Sequence, residues 1–178
     1  MESNELERFE AIMLPHMDAA YTLAHYLTRN DHDAEDVVQE AYLRALKYFD
    51  GFRGAAGGES RSWLLAIVRN TAHTWRHQHR ADTLATEFDE ELHSESVAHV
   101  HPETTLLREA ARASLRHAID GLPREFREVI VLRELEGLSY KEISDVVGVP
   151  VGTVMSRLAR ARKRLQEALR PERQERLT

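Results

Sequence analysis

The stretch LSYKEISDVVGVPVGTVMSRLARARKRL, residues 138–165, predicts two helices joined by a tight turn. Ser139 and Glu142 have the spacing of a capping box, in which each side chain accepts a hydrogen bond from a backbone N–H of the other residue. Gly148 opens a three-residue turn, and a second helix is predicted directly after it. Two short helices joined by a turn that contains glycine form a helix-turn-helix.

The second of these helices divides into an apolar stripe and a basic face. The stripe consists of Val154, Leu158, Ala161, Leu165 and Leu169, which would pack with Ile143 and Val147 of the first helix. The other faces carry Thr153, Ser156, Arg157, Arg160, Arg162, Lys163 and Arg164. A recognition helix needs this division, because one side holds it in the domain while the other enters the major groove of DNA. The pattern predicts DNA binding, although an amphipathic basic helix can also pack in a bundle.

Charge is unevenly distributed along the 178 residues, whose formal net charge is −6. Residues 1–104 contain 9 Lys and Arg against 19 Asp and Glu, whereas residues 105–178 contain 15 against 11. This asymmetry predicts two surfaces with different partners. The absence of cysteine excludes disulfides and thiolate metal sites. No apolar run approaches the ~18 residues of a membrane span, and no secretory signal is recognisable, so we expect a soluble, cytoplasmic protein without membrane insertion.

Two helices are predicted before a glycine-rich segment. The first covers about residues 4–29, and its buried face would consist of Phe9, Met13, Met17, Tyr21 and Ala24. The second has Asp31 or Asp33 as its cap, and its buried side would include Val37, Ala41, Leu43 and Leu46. Residues 51–60 are rich in glycine but lack the Gly-Lys-Ser/Thr ending of a phosphate-binding loop, which favours a flexible connection.

A further helix is predicted over residues 61–80. Its apolar seam consists of Trp63, Leu64, Ile67, Val68, Thr71, Ala72 and Trp75, and its basic stripe of Arg61, Arg69, Arg76 and Arg80. Residues 81–103 contain seven acids and no Lys or Arg, which predicts a poorly ordered linker. We therefore expect an all-α chain of two small helical domains, residues 1–81 and 104–178. An acidic flexible linker over residues 82–103 would join them.

Several motifs together resemble the bacterial sigma factors. Residues 122–165 resemble their −35-binding domain, and residues 31–54 with 61–80 resemble their domain that binds core polymerase and reads the −10 element. The chain is similar to the extracytoplasmic-function (ECF) class of the sigma-70 family, which keeps only these two domains. The resemblance implies a protein that binds core RNA polymerase, recognises both promoter elements and assists strand opening. Such a protein is not an enzyme and needs no cofactor.

The resemblance also implies roles for particular residues. Docking on the β′ coiled coil of core polymerase would involve Asp36, Gln39, Glu40 and Arg44, and the β subunit of core polymerase is a further implied partner. Contact with the opened −10 strand would involve Arg61, Arg69, Asn70, Thr71, Arg76 and Arg80, with an extruded base held near Asn70 and Thr71. Contact with −35 DNA would involve Thr153, Met155, Ser156, Arg157, Ala159, Arg160, Lys163 and Arg164. Members of the class are usually held by an anti-sigma factor.

One position departs from the pattern of the family. Met155 stands where relatives commonly carry Arg or Lys, and methionine cannot make the bidentate contact to guanine that arginine makes. It can contact a thymine methyl group instead. The departure concerns the choice of −35 sequence and leaves the DNA-binding role in place.

Other functions remain as alternatives. A helix-turn-helix regulator acting outside polymerase would need a dimer surface or a receiver domain, and a helical module that only binds proteins would leave the basic face unexplained. His73 and His77 have a spacing that can bind zinc, but no HExxH pattern or nearby carboxylate completes a site. The acidic linker is either a passive tether or a segment that occupies nucleic-acid space in polymerase.

Overall fold

A computed structural model describes residues 3–54, 56–79 and 102–170, and every regular element in those ranges is helical. The α-helices are α1 (Ser3–Met13), α2 (Met17–Thr28), α3 (Asp31–Lys47), α4 (Gly58–Gln78), α5 (Pro102–Asp120), α6 (Arg124–Ile130), α7 (Tyr140–Val147) and α8 (Val151–Ala168). The predicted all-α class is confirmed. Most of the predicted linker lies outside the described residues, and α5 already begins at its last two positions.

The single helix predicted over residues 4–29 is wrong, because Pro15 divides it. A short 3₁₀ turn, Leu14–His16, separates α1 from α2. Proline has no N–H to donate, and its ring clashes with the carbonyl four residues earlier, so a continuous α-helix cannot pass through it. Met13 is fully buried as predicted, but Met17 begins the new helix and is 38% exposed.

The N-cap of α3 lies one residue before the first of its two predicted caps. Asn30 is the N-cap, and its side-chain oxygen accepts a hydrogen bond from the backbone N–H of Asp33 at 2.9 Å. Asp31 and Asp33 instead lie in the first turn, where their charge complements the positive end of the helix. Val37 and Ala41 are buried as predicted, whereas Leu43 is 58% exposed. The exposure of Leu43 leaves an apolar side chain on the outer surface of α3.

The N-terminal core lies between α2, α3 and α4, which all pack against one another. Leu23, Leu64, Leu65 and Val68 are fully buried at its centre. Five alanines of α2 and α3 are also fully buried and let the helices approach closely: Ala20, Ala24, Ala34, Ala41 and Ala45. Trp63 and Trp75 pack against this core, as their spacing with Ile67 predicts.

The C-terminal core is built around α6, α7 and α8. A π-helical turn, Val131–Leu135, continues α6 and was not predicted. The capping box is confirmed: the hydroxyl of Ser139 accepts from the backbone N–H of Glu142 at 3.1 Å, and the Glu142 carboxylate accepts from the backbone N–H of Ser139 at 2.7 Å. Gly148 ends α7 with φ of +72°, a conformation that costs glycine little. These features set the angle at which α8 leaves the turn.

The apolar stripe of α8 is confirmed at three of its five predicted residues. Val154, Leu158 and Ala161 are buried, together with Ile143 and Val147 of α7. Leu165 is half-buried. The prediction for Leu169 is wrong, because this residue follows the end of α8 and its side chain is 43% exposed.

The two cores are in contact. Helix α4 packs against α7, and α2 packs against α6, an organisation that we call the closed arrangement. The sequence predicted the two domains, but it gave no indication that they would contact each other. No helix of the described residues is long and apolar enough to cross a membrane.

Alkaline unfolding tests the packing of Tyr42, whose hydroxyl donates to the Met13 carbonyl at 2.9 Å. Burial, reinforced by Asp18, raises the pKa of Tyr42 to about 12. The folded state thus holds this proton more tightly than the unfolded chain, whose tyrosine pKa is about 10. The resulting stabilisation is complete below pH ~10 and is lost as the pH rises through ~12.

Between about pH 9 and 11, we expect wild type to lose about 1 kcal/mol more unfolding free energy than Tyr42→Phe, with allowance for partial exposure. Urea unfolding of both proteins at each pH measures the difference. Parallel losses in the two proteins would contradict this assignment.

Candidate nucleic-acid interface

Helix α8 presents a continuous exposed face opposite its buried stripe. Met155 is 52% exposed near the start of this face. The other exposed predicted contacts are Ser156, Ala159, Arg160, Lys163 and Arg164, while Thr153 and Arg157 are half-buried. The structure therefore brings all eight predicted −35 positions to one helix and leaves six of them open to a ligand.

The cations of α8 differ in what holds them. The Arg164 guanidinium lies over the Phe126 ring, 5.1 Å from its centroid, and Arg157 lies 3.9 Å from the buried carboxylate of Glu128. Arg162 is paired with Glu134 at 2.6 Å. Within the described ranges, no carboxylate pairs with Arg160 or Lys163. These two side chains are thus the ones most ready to contact DNA phosphates or bases.

The basic stripe predicted on α4 is split by the closed arrangement. Arg69 makes a bidentate pair with Glu128 of α6, with Nε 2.8 Å from one carboxylate oxygen and Nη2 3.1 Å from the other. Arg61 donates to the carbonyl of Glu136 at 3.3 Å and lies 3.5 Å from the Glu142 carboxylate. Both arginines therefore face the C-terminal domain. Arg80 lies outside the described residues.

The remaining predicted −10 positions are exposed or buried according to their place on α4. Asn70 and Arg76 are exposed. Thr71 is only 1% exposed, and its hydroxyl donates to the carbonyl of Ile67 at 2.7 Å. The amide of Asn70 is thus available to a base edge, whereas the Thr71 hydroxyl is satisfied inside the domain.

The histidine pair considered for zinc lies beside the contact between the domains. His73 and His77 approach to 3.2 Å between their Nε2 atoms, and the Arg124 guanidinium contacts the other nitrogen of His73. Burial, with Arg124 and His77 adding to it, lowers the pKa of His73. With Arg76 these groups line a cavity of about 290 Å³. No group of three or more candidate metal ligands occurs in the parts of the chain that the structure describes.

An apolar groove of about 760 Å³ runs between α2 and α3. Its floor and walls are formed by Met17, Tyr21, Val38, Tyr42 and Leu43, and its rim by Asp18, Thr22, Glu35 and Gln39. Sequence reasoning missed the groove because it placed Met17 and Leu43 in the core. Gln39 and Leu43 lie four residues apart and therefore share one face of the helix, and this pairing of Leu43 with a polar residue was the available sign that Leu43 is exposed.

The positions predicted to dock on polymerase flank this groove. Gln39 lies on its rim and is exposed, whereas Asp36, Glu40 and Arg44 are half-buried along the neighbouring ridge of α3. Arg44 donates to Glu40 at 2.8 Å. The ridge and groove together form one surface with an apolar centre and an acidic edge.

Two buried charged residues were not identified from the sequence. Arg127 and Glu128 of α6 are 0% and 1% exposed. The Arg127 guanidinium donates to the carbonyls of Leu122 at 2.7 Å, Asp120 at 3.1 Å and Tyr26 at 3.2 Å. Burial lowers the pKa of Arg127 to about 10, so it stays charged at neutral pH. The position of Arg127 and Glu128 inside the apolar run FREVIV was the sequence feature that could have indicated their burial.

The fold and the exposed face of α8 define a helix-turn-helix DNA-binding protein with a second helical domain. Sigma-70 region 4 matches residues 112–165, which contain the helix-turn-helix, and Sigma-70 region 2 matches residues 12–81. The chain belongs to the sigma-70 family.

Relatives of known identity place the chain in the ECF class. It is 37% identical over 145 residues to the ECF RNA polymerase sigma-E factor of Escherichia coli (strain K12), covering 78% of this chain and 75% of that protein. It is 32% identical over 177 residues to the RNA polymerase sigma-H factor of Pseudomonas aeruginosa, covering 96% and 91%. With the ECF RNA polymerase sigma factor SigE of Mycolicibacterium smegmatis it shares 34% identity over 164 residues, 90% of this chain and 61% of that protein.

Two solved structures share the fold. One is the sigma factor RpoE in complex with the anti-sigma factor NepR from Bartonella quintana, at 27% identity and a TM-score of 0.73 over 94% of this chain and 99% of that chain. The other is CnrH in complex with the cytosolic domain of CnrY, at 26% identity and a TM-score of 0.64 over 92% and 88%.

The protein is thus an alternative sigma factor, which directs RNA polymerase to specific promoters. Sigma factors as a class are not enzymes. The alternative of a regulator acting outside polymerase finds no support in these comparisons.

Proposed function

We propose that α8 reads the −35 element, that α4 holds the opened −10 strand, and that the surface of α3 docks on the β′ coiled coil of core polymerase. The observation that carries this proposal is the division of α8. Val154, Leu158 and Ala161 fix the helix in its domain, while its opposite face leaves Arg160 and Lys163 exposed. A helix so divided fits the ~12 Å width of the major groove.

Within the −35 contact, the side chains fall into two groups. Met155, Ser156, Ala159 and Arg160 would reach base edges, with the Met155 thioether against a thymine methyl group. Thr153, Arg157, Lys163 and Arg164 would contact phosphates and set the register of the helix. Since methionine replaces a cation in this set, the preferred sequence is expected to contain a thymine opposite Met155.

Within the −10 contact, Asn70 would read the extruded base and the arginines would neutralise phosphates. The exposed amide of Asn70 supports this role. Thr71 would shape the base pocket with its backbone and methyl group, because its hydroxyl is held by Ile67. Arg61, Arg69, Arg76 and Arg80 would follow the strand. Strand capture offsets the cost of unstacking, and nucleotide addition is left to polymerase.

For core polymerase, the acidic rim and apolar floor of the groove supply complementary chemistry. Asp36, Gln39, Glu40 and Arg44 would form polar contacts beside the groove, while Leu43 would enter an apolar site on the β′ coiled coil. Acidic groups around an apolar centre favour oriented encounter with a basic partner. The β subunit would contact the C-terminal domain. The protein would act in the cytoplasm, where polymerase is found.

An anti-sigma factor is the other proposed partner. Two solved structures share this fold over more than nine-tenths of the chain, and both are complexes: RpoE is bound to the anti-sigma factor NepR, and CnrH is bound to the cytosolic domain of CnrY. The groove between α2 and α3 offers an exposed apolar surface on which a partner helix could lie. We also retain residues 1–81 and 104–178 as the two domains and residues 82–103 as their linker.

Run-off transcription tests the whole proposal. Purified protein is mixed with core polymerase and a library of genomic fragments, and the transcripts are sequenced. New start sites that share two upstream elements are expected only when both proteins are present. Failure of the protein to bind core polymerase or to redirect its start sites would overturn the proposal.

Replacing Arg160 by alanine tests the −35 contact. Arg160→Ala should lower transcription from a −35-dependent promoter about tenfold, because a lost base or phosphate contact costs about 1–3 kcal/mol. Binding to core polymerase should stay unchanged. Arg116→Ala removes an exposed cation of α5 and is the matched control. Equal losses in the two variants, or loss of core binding in Arg160→Ala, would contradict the separation of the two surfaces.

A further inference from the structure

The start of α8 exposes apolar side chains that the core of the domain does not use. Val151 begins the helix and is 39% exposed, and Met155, four residues later, is 52% exposed. Ala159 follows after four more residues and is also exposed. Residues four apart lie on one face of a helix, so these three side chains form a row that we call the apolar edge. The buried stripe of α8 lies on a different side of the helix.

The apolar edge runs beside the polar and basic part of the same exposed face. Ser156, Arg160 and Lys163 are exposed there. At about 100° per residue, Ser156 lies only about 60° around the helix from Ala159. A ligand resting on this face therefore meets cations on one side and apolar groups on the other. Duplex DNA offers both partners, because its phosphates flank a major groove into which the thymine methyl group projects.

Gly152 lies beside the apolar edge, and nothing inside the described part of the protein requires a glycine there. Its φ is not positive, and a Cβ built on it would meet no described atom within 4 Å. Glycine is a poorer helix former than alanine, so this position weakens the helix without an internal reason. Glycine is expected where a backbone approaches a ligand closely. The missing side chain therefore indicates close contact with a ligand at the first turn of α8.

We propose that the first turn of α8 reads the C5-methyl groups of pyrimidines in duplex DNA. Val151 and Met155 pack on the methyl groups of two nearby bases, and Gly152 lets the helix approach them. The inference rests on the proposed −35 role of α8 and adds Val151 and Gly152 as residues that determine its specificity. Four residues of helix rise by about 6 Å and base pairs stack about 3.4 Å apart, so the two methyl groups lie one or two base pairs apart.

Removal of single methyl groups from DNA tests the contact. The full-length protein selects a binding sequence from a pool of randomised duplexes, and fluorescence anisotropy measures its affinity for the selected duplex. Deoxyuridine then replaces each thymine in turn, which removes the methyl group and keeps the base pair. Two positions, one or two base pairs apart, should each weaken binding about fourfold, the effect of losing one buried methyl-sized group. If no sequence is selected, or no position responds, the proposal is wrong.

Two variants assign each methyl group to a side chain. Val151→Ala should lose most of the response to deoxyuridine at one position and keep it at the other, and Met155→Ala should show the reverse, because a methyl group without its partner has little left to lose. Leu115→Ala is the matched control, since Leu115 of α5 is also 39% exposed but lies on another helix. It should respond at both positions. Identical responses in all three variants would contradict a contact with these side chains.

Thymine and 5-methylcytosine carry the same methyl group, and the duplexes distinguish the two sources. At either responsive position, a duplex with 5-methylcytosine should bind about fourfold more tightly than one with cytosine, because only the methyl group differs. The factor should not change as salt is raised, since a methyl contact releases no counterions. Equal affinity for the cytosine and 5-methylcytosine duplexes would contradict methyl recognition.

Gly152→Ala tests the close approach. The added methyl group points into open space in the free protein, so the free energy of unfolding should not fall. Affinity for the selected duplex should fall about tenfold, as expected when an extra methyl group is forced into a packed contact. Gly51→Ala is the matched control, because a Cβ at Gly51 of the N-terminal domain also meets nothing within 4 Å. It should bind the duplex as wild type does.

Other results for Gly152→Ala would overturn the proposal. Normal duplex binding would mean that DNA does not approach this turn, and weaker binding to core polymerase with normal duplex binding would mean that a protein covers it. The promoter function fails separately. If single methyl groups matter as expected but run-off transcription finds no polymerase-dependent start sites, methyl recognition stands and the proposed promoter function is wrong.

Discussion

Leu43→Arg is expected to lower the affinity for core polymerase about 30- to 100-fold and to leave the free energy of unfolding within about 0.5 kcal/mol of wild type. Leu43 is 58% exposed in the wall of the groove between α2 and α3, so its replacement opens no cavity in the core. An apolar anchor at the centre of an interface contributes about 2–3 kcal/mol, which corresponds to this loss of affinity. The added cation also offsets part of the negative charge of Asp18 and Glu35 at the rim, which would otherwise attract a basic partner.

The affinity is measured by fluorescence anisotropy of labelled protein titrated with core polymerase. Leu6→Arg is the matched control, because Leu6 of α1 is 41% exposed and does not line the groove. It should bind core polymerase as wild type does. If both variants bind like wild type, the groove is not the polymerase surface, and anti-sigma binding becomes its remaining assigned use.

Arg127→Met is expected to lower the free energy of unfolding by about 3 kcal/mol. The change leaves the carbonyls of Tyr26, Asp120 and Leu122 without their donor in a buried site, at about 1–3 kcal/mol each. Relief from burying a charge offsets part of this loss. Methionine nearly fills the apolar volume of the side chain, so the deficit reports mainly the missing hydrogen bonds.

Urea unfolding followed by circular dichroism measures this change. Arg116→Met, on the exposed face of α5, should cost less than about 0.5 kcal/mol. Because Tyr26 belongs to the other domain, the Arg127 variant should also weaken the contact between α2 and α6. A variant as stable as wild type would mean that solvent replaces the guanidinium at those carbonyls.

The helix-turn-helix could be predicted residue by residue. Ser139, Glu142 and Gly148 act locally, through caps and a turn that involve only near neighbours in the sequence. The stripe of Val154, Leu158 and Ala161 follows from the period of the helix alone. Errors arose where local geometry was overlooked, as at Pro15, or where a helix ended earlier than its pattern, as at Leu169.

Burial of charge could not be predicted in the same way. Arg127 and Glu128 interrupt an apolar run, which is a hint of burial, but their partners Tyr26 and Arg69 lie 101 and 59 residues away. A carboxylate is stable in a buried site only when a cation meets it there. Whether that cation is present depends on how the two domains pack.

The sequence by itself determined the helices, the recognition face of α8 and membership of the sigma-70 family, because capping, periodicity and motif spacing depend on neighbours along the chain. Only the tertiary structure decided that Met17 and Leu43 form a groove and that Arg61 and Arg69 face acids of the other domain. These outcomes depend on desolvation and on charges brought together from distant positions, and no local pattern records them.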